Sequence, residues 1–121
     1  RADRLGVKSP TLTVMSQTDV QAICEYIKAN KPGLVIIDSI QTMVISDLSS
    51  SAGSVTQVRE STSMFMRTAK GSNIPIIIVG HVNKDGNIAG PKVLEHIVDA
   101  VLYFEGDRQK PLRLIKLDRC V

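Results

Sequence analysis

The chain has 121 residues, 43% hydrophobic and only 3% aromatic, with 15 Lys and Arg against 12 Asp and Glu for a net charge of +3. That length fits one domain able to bury roughly two-thirds of the surface its unfolded form exposes, and the composition excludes a disordered or low-complexity chain. No apolar run approaches the ~20 residues of a membrane span, two cysteines make neither a disulfide framework nor a zinc site, and the mild positive charge permits a nucleic-acid partner without requiring one.

In chain order, "RADRLGVKS" has no apolar core of a secretory signal, so the expected location is cytoplasmic. "TLTVM" (11–15) is rich in β-formers and predicts a short strand. "TDVQAICEYIKAN" predicts a helix capped by Thr18, with Gln21 completing a capping box and Val20, Ile23, Cys24 and Ile27 forming one apolar stripe. After "KPG", the run "LVIID" (34–38) is a continuous apolar strand of the kind expected when both sheet faces are covered. "SIQTMVISDLSSSAG" follows, with a Ser-rich stretch too small and polar for a core.

A second capping box, Ser54 with Gln57, opens a long helix with Val55, Val58, Thr62, Phe65, Met66 and Ala69 on one side, and "GSN" ends it. "IPIIIVG" is a second apolar strand, "HVNKDGNIAG" a Gly-rich loop, and Pro91 starts a helical turn through His96. "DAVLYFEG" and "PLRLIKL" alternate like antiparallel strands joined by a polar turn at 107–110. Strands alternating with helices predict an α/β domain over residues 1–121, its mostly parallel sheet flanked by helices and extended by an antiparallel edge hairpin.

Ligands of open parallel sheets bind beyond the carboxyl ends of the strands, and Asp38 stands at such an end. One reading makes it a turn cap. The other makes it the acidic residue that holds magnesium against nucleotide phosphates in a P-loop ATPase. "IIIVGH" places His81 at the equivalent point of the next strand, where an imidazole could sense a γ-phosphate or simply cap the turn. Lys84 and Lys92 flank the Gly-rich loop and suit phosphate contacts, though surface lysines commonly serve solubility alone. A hydrolase triad of Ser39, His81 and Asp85 lacks the G-x-S-x-G elbow, and His81, Asp85, Glu95 and His96 match no standard metal spacing.

The words "LVIIDSIQTM", "GSVTQVRESTSMFMRTAK" and "IPIIIVGHVNKDGNIAGPKVLEHIVDAVLYFEGDR" closely resemble the ATPase core of the RadA (Sms) family, RecA-like motors of bacterial DNA repair. The resemblance covers nearly the whole chain. It implies a RecA-like P-loop NTPase fold, with the chain as the C-terminal part of the ATPase domain from after the P-loop. It also implies a nucleotide- and magnesium-associated Asp38 with its usual neighbour Ser39, a γ-phosphate sensor at His81, and loops at 41–53 and 82–90 that meet single-stranded DNA. Implied with these are ATP and Mg2+ as cofactors, a homo-oligomeric ring and recombination proteins as partners. The chain departs from the family in having no G-x-x-x-x-G-K-[ST], no Lys-Asn-Arg-aromatic-Gly signature after the last strand and no Lon-like domain. Two functions stay open: the core of an ATP-driven motor on single-stranded DNA, itself inactive alone, or a non-catalytic RecA-like module that binds DNA or protein.

Overall fold

The computed structural model describes residues 3–81, 91–106, 111 and 113–120. Helix α1 (Val20–Asn30) buries Val20, Ile23, Cys24 and Ile27, the i, i+3, i+4, i+7 stripe of a helix with one inward face. Its cap is Asp19 rather than the expected Thr18: the Asp19 carboxylate accepts from the Gln21 N–H at 3.0 Å. Thr18 is committed elsewhere, its carbonyl accepting from the Val44 N–H. Helix α2 (Val55–Ser72) starts as expected at Ser54, whose hydroxyl accepts from the Gln57 N–H, and ends at Asn73 in the left-handed conformation. It buries Gln57, Val58, Ser61, Thr62, Phe65 and Thr68, while Val55, expected on that face, is half exposed.

Strands β1 (Val35–Asp38) and β2 (Ile76–Val79) pair in parallel, with Val35 opposite Ile76 and Asp38 opposite Val79. The helix between them makes this an α/β crossover unit. One core joins α1, α2, Ile37 of β1 and the segment after it, which contributes Ile40, Met43 and Ile45. Met43 and Ile45, ahead of the Ser-rich stretch, are about as buried as the helix stripe. Alternation decides the rest, because successive residues of a strand face opposite sides. Val35, Ile37, Ile76 and Ile78 turn to the core, while Ile36 (61% exposed) and Ile77 (50%) face out. The expectation that both faces of this sheet are covered is not met by the described residues.

Strands β3 (Ala100–Gly106) and β4 (Arg113–Cys120) form the expected antiparallel pair, with an irregularity between Val101 and Leu102. They make a separate two-stranded sheet rather than an edge of the first. "TLTVM" forms no strand: Leu12, Val14 and Met15 are exposed, and the nearest pairing is a single bridge of Asp19 with Val44. A β-rich run without a neighbouring strand has no ladder to stabilise it. The turn at Pro91–Val93 continues through Ile97 and Val98 bonding back to Leu94. No described helix is long and apolar enough to cross a membrane.

Candidate functional site at the ends of the parallel strands

Because β1 and β2 are in register, they stop at the same level, and the chain beyond each emerges on one side of the molecule. Asp38 closes β1, and His81 lies two residues beyond Val79. The imidazole Nε2 stands 3.9 Å from the Asp38 carboxylate, with the two side chains 70% and 71% exposed. That is ion-pair distance when the imidazole is protonated, but so exposed a pair adds little to stability. These two groups are available to something else.

Behind them the backbone changes course. Ser39 is buried, follows Asp38 through a cis peptide bond, and leads into a 3-10 turn over Ile40–Thr42. The Ser39 carbonyl accepts from both the Thr42 N–H and the Thr42 hydroxyl, the latter at 2.8 Å. Gln41 projects from this turn across to β2: its Nε2 donates to the His81 carbonyl at 3.0 Å and its Oε1 accepts from the His81 N–H at 3.3 Å. Gln57 repeats the device inside the core. Its Oε1 accepts from the Ile45 N–H at 3.0 Å, and its Nε2 donates to the carbonyls of Ile45 and Ser50. Its side chain thus leaves the capping box half formed, holding the segment after β1 instead of reaching back to the helix start.

Of the residues expected to carry function, the fold brings together Asp38, Ser39 and His81. Lys92 is exposed in the turn Pro91–Val93. Lys84 and Asp85, with the rest of 82–90, lie outside the described residues. Glu95 accepts a hydrogen bond from the Tyr103 hydroxyl, and His96 is exposed. The two glutamines escaped sequence reasoning, since a carboxamide bonded to backbone 40 or 12 positions away leaves no periodic signal.

An exposed carboxylate with one nearby imidazole is a sparse donor set. Among the described residues no three His, Cys, Asp or Glu side chains converge. That suits a hydrated magnesium ion, which takes one or two carboxylates and fills its other positions with water and phosphate oxygens.

No family model matches the chain. It is 53% identical over 116 residues to the DNA repair protein RadA of Bacillus subtilis, 54% over 116 residues to that of Listeria monocytogenes and 47% over 116 residues to that of Campylobacter jejuni. Each of these alignments takes in 96% of the chain. The chain belongs to the RadA family. It spans about a quarter of the length of these RadA proteins, 25% of the first two and 26% of the third.

Proposed function

We propose that the chain is the central part of an ATP-driven motor that acts on single-stranded DNA in recombinational repair. The observation that carries this reading is the meeting of Asp38 and His81, exposed and 3.9 Å apart, at the ends of two parallel strands that stop at one level. The RadA relatives, each named a DNA repair protein, supply the context. In this reading Asp38 would hold magnesium, its neighbour Ser39 would belong to the nucleotide site, and His81 would sense the terminal phosphate. Magnesium would neutralise the charge that develops on the phosphates during transfer. Lys84 and Lys92 contact DNA phosphates, together with the loops at 41–53 and 82–90, and the motor assembles as a homo-oligomeric ring alongside other recombination proteins.

In the intact protein, Asp38→Asn keeps the side-chain size and removes the charge. Magnesium-dependent ATP hydrolysis is expected to fall about a hundredfold, the scale of losing one preorganised electrostatic contact, with the circular dichroism spectrum unchanged. An undiminished rate would reduce Asp38 to a turn residue.

The second reading is a RecA-like module that binds DNA or protein without catalysis, and the 121 residues themselves hold no G-x-x-x-x-G-K-[ST]. Without that loop no cradle of backbone amides and lysine grips the phosphates. The 121-residue chain by itself is accordingly expected to hydrolyse no ATP. Turnover by the purified chain that Asp38→Ala abolishes would contradict this. A P-loop in frame before residue 1 decides between the two readings.

A further inference from the structure

The β1–β2 ladder ends with Asp38 opposite Val79. Beyond that point β1 cannot continue it, because Ile40–Thr42 coils into a 3-10 turn. The peptide of His81 would then face a strand end with no partner. Gln41 supplies one, since its carboxamide has the same donor and acceptor as a backbone peptide and meets both the N–H and the C=O of His81. The Gly80 backbone passes alongside, where a Cβ would lie 3.8 Å from Ile40 Cγ2 and 3.9 Å from Gln41 Nε2, so the two chains run at contact distance. Two bonds from one rigid amide fix an orientation as well as a distance, which one bond does not. Ile40, the preceding residue, is fully buried, so the clamp is anchored in the core rather than on a free arm.

We propose that Gln41 is a positioning residue of this site. It extends the parallel ladder by one rung through its side chain, and so holds the His81 imidazole beside the Asp38 carboxylate. The catalytic part of the proposal rests on the motor reading above. If His81 meets the terminal phosphate there, freeing its backbone misplaces the imidazole in the transition state more than it weakens nucleotide binding. The loss then falls on kcat rather than KM.

The test uses the intact protein with two substitutions. Gln41→Met keeps the length and removes both bonds, and Gln41→Glu keeps an acceptor for the His81 N–H and removes the donor. In Gln41→Met the His81 amide is expected to exchange with deuterium roughly fivefold faster, the worth of one net hydrogen bond, with Gln41→Glu between it and the parent. In Gln41→Met kcat for ATP is expected to fall roughly tenfold, in keeping with a misplaced contact, while KM stays within about twofold and the thermal midpoint is unchanged. An unchanged His81 exchange rate overturns the clamp. Faster exchange with unchanged kcat overturns the positioning role, and so does a parallel fall in kcat, nucleotide affinity and thermal midpoint. If the unsubstituted protein hydrolyses no nucleotide, the motor reading fails by itself, and the exchange rates alone decide whether Gln41 holds His81.

Discussion

Tyr103 shows how local a chemical perturbation can be. Its hydroxyl donates to the Glu95 carboxylate, and this bond first, then desolvation and the charges of Glu95 and Asp118, push the phenol up to about 12 from its ordinary value near 10. A raised value favours the neutral form in the folded chain. The stability it lends is therefore complete below pH 10 and is lost as pH rises through about 12. In a Tyr26→Phe background, phenolate absorbance is expected to titrate near 12 and to move down by a measurable fraction of a unit with Glu95→Gln. A titration unmoved by that substitution would assign the shift to burial. Asp38 and His81 illustrate what could be read without coordinates. A carboxylate and an imidazole at the ends of two apolar runs are visible as sequence, but their separation depends on the strands being neighbours and in register, which no single run reveals.

At the scale of elements, the sequence is most legible where one periodicity dominates. The α1 stripe and the alternating β3–β4 pair are where the pattern puts them. It is least legible where a residue's partner is distant, as with Gln57. Removing that carboxamide as Gln57→Leu strands the buried N–H and carbonyl of Ile45 and the half-buried carbonyl of Ser50. At ~1–3 kcal/mol for an unsatisfied buried group, partly offset by the added apolar contact, the loss is expected to be about 3 kcal/mol. Urea unfolding measures it, and a midpoint within error of the parent's would show that the segment after β1 holds itself. Ser61 tests the reverse case. Its hydroxyl is fully buried in α2 and has no hydrogen-bond partner among the described residues. Ser61→Ala removes an unsatisfied group and adds helix propensity, so stability is expected to rise by about 0.5–1 kcal/mol. A fall would mean that the hydroxyl is bonded in solution.

Seen whole, the described chain leaves apolar residues uncovered on both of its sheets. Ile36 and Ile77 present an apolar strip on the outer face of β1–β2, and Leu102, Phe104, Ile115 and Leu117 present another on the second sheet. The latter four lie together because Phe104 faces Ile115 and Leu102 faces Leu117 across the ladder. Among these, the Phe104 ring has the Arg113 guanidinium over it at 5.9 Å. Contiguous apolar faces of this kind drive association, and the unpaired edges of two-stranded sheets add backbone donors and acceptors. The 121-residue chain studied alone is expected to self-associate at concentrations of tens of micromolar and above. Sedimentation equilibrium checks this, and a clean monomer throughout would contradict it. Composition could not foretell these strips. The run "LVIID" reads as a strand covered on both faces, and only the placement of the helices shows which face the described residues leave open.

The parallel pairing of β1 with β2 has a consequence for synthesis. Val35 finds its partner Ile76 about 40 residues later in the chain, which at ribosomal speeds is a wait of roughly 2–8 seconds. During that interval β1 waits for this rung, and among the described elements α1 is the first finished one able to shield Ile37. The second helix must emerge before either strand is secured, since the crossover cannot close without it. Each newly made copy therefore passes through a stage of seconds in which β1 lacks its β2 partner. The nascent chain is open to chaperones, and to its neighbours on a polysome, for that period.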